Sequence, residues 1–172
     1  AIFNHNTLYA DIGLDFAGFA TYIDGFGTLG AFVSNLSMDE MPVRTLERPQ
    51  GTGEYFKVGA IVLGVGYSRF LTDQFSIGFN AKYISETIYN MSADAIAFDI
   101  GVMYRLPLFN QLRIAASISN FGPKMKLDGR DILEIKTVGD NYINTKVELD
   151  AYDLPLLFRI GVAADLINDG AS

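Results

Sequence analysis

The sequence predicts an all-β protein, an antiparallel up-and-down meander that forms part of a transmembrane outer-membrane β-barrel. Three observations predict it. Run after run of the chain alternates with a period of two, the signature of a strand. The alternation separates large apolar side chains from glycine, alanine, serine and sparse charge, which is the polarity of a barrel with lipid outside and a crowded lumen inside. Short connections alternate with long ones, which in a meander puts every tight turn on one side and every long loop on the other.

The stretch VGAIVLGVGYSRFLTDQFSIGFNAKY, residues 58–83, carries the pattern most clearly. In its first run Ile61, Leu63, Val65 and Tyr67 share one face against Ala60, Val62, Gly64, Gly66 and Ser68. In its second, Phe75, Ile77, Phe79, Ala81 and Tyr83 oppose Ser76, Gly78, Asn80 and Lys82. The polar break Thr72-Asp73-Gln74 between them makes a hairpin.

The other elements follow in order. Residues 8–23 read as the first strand, with Leu8, Ala10, Ile12, Leu14, Phe16, Ala20 and Tyr22 on the apolar face and Asp11, Gly13, Asp15, Ala17 and Thr21 on the small one. Asp24-Gly25 is a strong hairpin signal. A two-residue turn there sets Ala20 opposite Leu29 and Phe16 opposite Val33, so that the apolar faces of this strand and the next, 26–38, coincide. Residues 39–55, with two prolines and two glycines, form a long loop, and 87–93 a second loop. Strands then run over 94–106, where Ile96, Phe98, Ile100, Val102 and Tyr104 oppose Ala95, Ala97, Asp99, Gly101 and Arg105, and over 112–121 after a short link at 107–111. The long connection 122–153 contains a small hairpin, 132–138 with 142–149, outside the main sheet. The final strand is 154–167, with Phe158, Ile160, Val162 and Ala164 against Arg159, Gly161, Ala163 and Asp165. Aromatics gather beside the short turns: Tyr22 and Phe26, Phe70 and Phe75, Tyr104 and Phe109. They mark one interfacial girdle.

Composition agrees with this reading and excludes others. Of 172 residues, 49% are hydrophobic and only 19% charged, with 17 glycines. No run of about eighteen apolar residues exists, so no spanning helix does. The net charge of −7, from 20 acidic and 13 basic residues, comes without a dense basic patch and argues against a nucleic-acid partner. The absence of cysteine removes a disulfide scaffold and a thiolate metal site. His5 is the one histidine, which leaves no His-based metal cluster or Ser-His-Asp triad. Gly64-Val65-Gly66 and Gly51-Thr52-Gly53 lack dinucleotide or phosphate-loop spacing. Asp128-Gly129-Arg130-Asp131 falls short of a calcium loop and reads as a turn. The expectation is a protein that is not an enzyme and has no cofactor.

The charges that remain collect on the small face: Asp11, Asp15, Lys82, Asp99, Arg105, Arg113, Arg159 and Asp165. Lys82 lies roughly opposite Asp99 if the loop between their strands closes symmetrically, a cross-strand ion pair. Arg105 comes near Arg113 across the next turn. These eight are the lumen-facing polar candidates: a charge network that stiffens the barrel, or a ligand or ion path. The chain begins without a basic and apolar leader and stops just past the turn signal Asn168-Asp169-Gly170. The expectation is a single partial barrel domain over 1–172, truncated at both ends.

Four segments, GYSRFLTDQFSIGFNAKYI (66–84), AFDIGVMYRL (97–106), SISNFGPKMKL (117–127) and LPLLFRIGVAADL (154–166), resemble the PorV/PorQ-type outer-membrane proteins, FadL-like barrels associated with type IX secretion. The resemblance covers most of 58–167. It implies a barrel of about fourteen strands in the outer membrane of a Gram-negative bacterium, in contact with its lipid. It also implies one of two roles: a component of protein secretion whose extracellular loops, 39–55 and 122–153, bind secretion-system or cargo proteins, or a carrier of hydrophobic small molecules. A soluble β-barrel binding module is the alternative from another class. Its greasy face would be the inside, and its outer face would be unusually poor in Lys, Glu and Thr.

Overall fold

The computed structural model describes residues 1–9, 12–107, 112–130, 133–138 and 141–164, with the backbone alone for 133–138 and 141–144. Its strands are β1 (Ile2–Thr7), β2 (Gly13–Ile23), β3 (Gly27–Ser37), β4 (Met41–Pro42), β5 (Tyr55–Phe56), β6 (Val58–Phe70), β7 (Phe75–Ile88), β8 (Met91–Leu106), β9 (Leu112–Phe121), β10 (Asp128–Gly129), β11 (Leu133–Val138), β12 (Asn141–Lys146) and β13 (Leu157–Ala163). The protein is all-β, an antiparallel meander, as the alternation predicts. One sheet runs β1-β2-β3-β6-β7-β8-β9-β13, with β10 paired to β8; β11 pairs with β12, and β4 with β5. Among the described residues β1 and β13 end the path without pairing to each other, so the sheet is open.

Register fixes the faces. Leu63 pairs Tyr83, Tyr67 pairs Phe79, Phe79 pairs Ile100, and Ile100 pairs Ile118, which itself pairs Phe158. These side chains share one face. Gly64 pairs Lys82, Asn80 pairs Asp99, and Gly101 pairs Ser117, which itself pairs Arg159, on the other. From β3 to β13 the division follows the sequence pattern.

At β2 it does not. Strand β2 starts at Gly13 rather than residue 8, because residues 2–7 form a separate strand β1 that turns back onto it, with Leu8 N–H donating to the Ile12 carbonyl at 2.7 Å. The turn into β3 holds three residues, Asp24–Phe26, not two, and Ile23 pairs Gly27. Gly25 has φ 70° and Gly27 φ 131°, the glycine-favouring conformations that admit the extra residue. Ala20 therefore faces Gly30, not Leu29, and Phe16 faces Ser34, not Val33. A one-residue slip flips every side chain: Asp15, Ala17 and Phe19 join the apolar face, and Leu14, Phe16 and Tyr22 the small-residue face. A Cβ on Gly27 would meet the Ser68 carbonyl at 2.6 Å. Gly27→Ala is expected to cost about 1–3 kcal/mol, the range for backbone strain of this kind, read as a lowered midpoint of denaturant unfolding.

The second departure is at 87–93. Ile88 pairs Met91, so Tyr89–Asn90 is a tight turn, with Tyr89 at φ 55°. Long connections, 38–57 and 122–156, do lie on one side, but this short turn lies there too, at the tip of a β7–β8 hairpin that β6 follows to its end, Val58 pairing Ile88, while β9 does not. Strand β9 stops pairing where Phe121 meets Phe98, leaving the upper part of β8 to β10.

Among the described residues the buried core is small and sits there. Ile84, Ala93, Ala95 and Ala97, on the small-residue face, are covered by Met125, with Val62, Leu127 and Leu154 against them. Burying one methionine fully contributes about 1.5–3 kcal/mol.

Candidate functional site

The two faces of the sheet differ in chemistry, and that contrast is the main feature of the molecule. The apolar face is bare. Phe79 is 45% exposed, Phe98 53%, Ile100 47%, Phe158 65% and Ile160 67%. On β8 the apolar positions run from Ile96 to Tyr104, about 27 Å along the strand. Polar groups border this band. At one end Tyr83 Oη donates to Asp94 Oδ1 (2.7 Å), and His5 Nδ1 lies 2.7 Å from Asp15 Oδ1. At the other, Tyr104 Oη donates to Gln74 Oε1 at 3.0 Å, and Tyr67 Oη to the Phe26 carbonyl at 2.7 Å. The aromatics near the short turns are divided between the faces: Phe75 and Tyr104 on the apolar one, Tyr22 and Phe70 on the other. Phe109 lies outside the described residues.

The opposite face centres on an ion pair. Lys82 Nζ is 2.7 Å from Asp99 Oδ1, and the two side chains keep only 11% and 18% of their exposure. They are not directly opposite: Lys82 pairs Ala97 and Asp99 pairs Asn80, so the bridge is diagonal. Nζ also donates to Asn120 Oδ1, and Asn120 N–H donates to Asp99 Oδ1 at 2.9 Å. The register slips between Phe98 and Ile100, and Asn120 adopts φ 65°. This bulge turns the Asn120 amide toward the carboxylate. Asn120 Nδ2 donates onward to the Pro155 carbonyl at 2.9 Å.

Glycines on this face make room for larger neighbours. The ring of Phe32 lies across Gly64, in the space a Cβ would take, and stacks on Phe16 with centroids 5.8 Å apart. Asn80 lies over Gly66 in the same way. Toward the short turns a recess of about 900 Å³ includes Ser68, Ser76, Asn80, Asp99, Ser117 and Arg159 in its lining.

Of the eight candidate residues, Lys82, Asp99, Arg105, Arg113 and Arg159 lie on this face. Arg105 and Arg113 pair directly, and the Arg105 guanidinium sits 4.9 Å from the centre of the Phe70 ring, a cation–π contact. Asp15 lies on the apolar face instead, carried there by the slip in the β2–β3 register, and meets His5 at the border. Asp11 and Asp165 lie outside the described residues. Asn80 and Asn120 complete the polar cluster and were not among the candidates. The one signal for Asn120 is its position before Phe121-Gly122 at a strand end, since asparagine tolerates positive φ.

Two limbs of the connection after β9, 122–130 and 145–156, fold over the same face as a strap. Met125 and Tyr152 exchange backbone hydrogen bonds of 2.8 and 2.9 Å. Ion pairs lace the limbs: Lys124–Asp153 at 3.1 Å, Lys126–Glu148 at 2.8 Å and Lys146–Asp128 at 2.7 Å. Tyr152 Oη donates to Glu86 Oε2 at 2.7 Å. Burial first, and the Glu86 bond second, push the Tyr152 hydroxyl up to about 12, so it stays a donor at ordinary pH.

Hydrogen bonds from Lys126 and Lys146 hold Glu148 and Asp128 below their ordinary values of 4.5 and 3.8. A depressed carboxylate stabilises the fold above its unfolded value, and that contribution is lost as pH falls through the lower folded value. Strap amides are therefore expected to keep their hydrogen-exchange protection, corrected for intrinsic rate, from pH 7 to 5 and to lose part of it below about pH 4. The loss is small for pairs this exposed.

Among the described residues no three His, Cys, Asp or Glu cluster to hold a metal, and no helix is long and apolar enough to cross a membrane; the latter says nothing of strands. No protein-family model, curated protein or solved structure matches the chain.

Proposed function

We propose that this chain is a section of an outer-membrane β-barrel of the PorV/PorQ type, a non-enzymatic component of type IX protein secretion whose long connections bind partner or cargo proteins. The observation that carries the reading is the contrast between the faces. Large side chains such as Phe79, Ile100 and Ile160 stand about half exposed or more, while Lys82 and Asp99 are nearly covered. In water that arrangement leaves a run of large apolar side chains uncovered, the kind of surface that marks a lipid or partner contact. Against acyl chains it is the expected one. The band on β8, tilted by about 40°, spans roughly 20 Å of membrane, close to the ~25 Å apolar belt of such barrels. The connections 38–57 and 122–156 then emerge together, where a partner can reach both.

A carrier of hydrophobic molecules is the second reading. It is favoured by a recess of about 1030 Å³ on the apolar face, lined chiefly by residues such as Phe19, Val65, Phe79, Phe98 and Phe121. Purification of the tagged protein from its full reading frame tests both. Recovery in the outer-membrane fraction with secretion proteins supports the first reading, and recovery there with stoichiometric lipid and no protein partner supports the second. Recovery in the soluble fraction contradicts both.

A further inference from the structure

We propose that Asn120 is a latch that holds two limbs of the strap, 122–127 and 150–156, closed over one end of the small-residue face. The strap leaves the sheet just after Asn120 and rejoins it just after Pro155. Asn120 ties these two points together directly, through Nδ2 to the Pro155 carbonyl at 2.9 Å. Its other side-chain atom is held by the wall: Oδ1 accepts from Lys82 Nζ, and the backbone N–H is fixed on Asp99. One side chain thus couples both ends of the strap to the ion pair between β7 and β8. The positive φ of Asn120 is what aims it both ways, and few residues other than asparagine and glycine adopt that conformation readily.

The position gives the latch a consequence. The recess of about 900 Å³ reaches Asn80 and Asp99, the level of the latch. Beyond it Met125 and Leu154 cover the alanine floor at Ala93, Ala95 and Ala97. The strap otherwise rests on this small apolar contact, on the two-residue pairing of β10 with β8 and the hydrogen bonds of Arg130 to Asn90, on exposed ion pairs that contribute little individually, and on Tyr152. Releasing Asn120 loosens the limbs between the sheet and β10, 122–127 and 150–156, and extends the recess toward the floor, while the ladders of β6 to β9 and the pairing of β10 with β8 stay intact. The latch depends on the strap and the ion pair alone, so it holds whether the opposite face meets lipid or another protein surface.

Hydrogen-exchange mass spectrometry on the full-length protein tests the proposal with two variants. Asn120→Gly keeps the backbone conformation and removes both side-chain contacts. Asn120→Asp keeps an acceptor for Lys82 but cannot donate to Pro155. Amides of 122–127 and 150–154 are expected to exchange about tenfold faster in both, as for the loss of roughly one net hydrogen bond, with β6–β9 and β10 unchanged. Unchanged strap exchange in Asn120→Gly overturns the latch. So does acceleration of strap and sheet together, because the strap would then open only with the whole wall.

Discussion

Ile100→Arg is expected to destabilise the folded protein in a bilayer by about 2–4 kcal/mol, the cost of a cation on the lipid face of a barrel near the membrane midplane. Ile100 lies mid-band on β8, paired with Phe79 on one side and Ile118 on the other. Its side chain has no polar group of the border within one residue along the strand. The same substitution on a sheet surface open to water changes stability by only about 0.5 kcal/mol either way. The difference between these outcomes is several-fold larger than the error of a denaturant titration. Unfolding from lipid vesicles, compared with Val102→Arg nearer the border, is expected to show the cost falling with depth.

Lys82→Met is expected to cost about 1–3 kcal/mol, the range for leaving a buried polar partner unsatisfied. The loss stays below the roughly 3–5 kcal/mol of a fully buried broken pair, because 11% and 18% of the two side chains remain exposed. The methionine fills nearly the volume of the lysine stem, so the cost is electrostatic: Asp99 keeps the Asn120 amide but loses its cation. Asp99→Asn in the Lys82→Met background removes that stranded charge and is expected to recover part of the loss. A double-mutant cycle on equilibrium unfolding reads the coupling, expected at roughly 0.5–3 kcal/mol for groups in contact. Zero coupling would show that the 2.7 Å approach contributes nothing.

Much of this architecture was legible because the alternation is unambiguous where both faces differ in size. In β6, β7, β8 and β9 most positions set large apolar residues against glycine, alanine, serine or sparse charge, and only one register satisfies such a pattern. Strand β2 has no such contrast. Phe16 and Tyr22 compete with Phe19 and Ile23, both faces are apolar, and the turn alone decides. Asp24-Gly25 signals a two-residue turn, but Gly27 supplies a second positive φ, and one extra residue reverses the strand and relocates Asp15. The β7–β8 tip was hidden for a related reason. Tyr89 carries the positive φ without being glycine, and the polar residues Thr87 and Ser92 read as loop although they pair as strand.

The polar site was half legible. Lys82 and Asp99 are isolated charges on a face of small residues, which marks them at once. Their bridge runs diagonally because the turn is centred on Tyr89–Asn90, which sets Lys82 opposite Ala97. Asn120 could not be found from spacing: its role depends on a bulge, which adds a residue to one strand and leaves no trace in the period. The strap over Ala93, Ala95 and Ala97 is likewise a long-range contact, and alanine at those positions signals only that something approaches closely.

The central claim is that Ile96, Phe98, Ile100 and Val102 meet acyl chains while their neighbours do not. Nitroxide labels placed one at a time at positions 96 to 103 of the full-length protein in lipid vesicles test it by collision with oxygen and with a water-soluble nickel chelate. The account predicts a period of two, with even positions open to oxygen and closed to nickel, and odd positions the reverse or closed to both. Even positions open to nickel, or closed to both reagents as in a dry protein core, would contradict it.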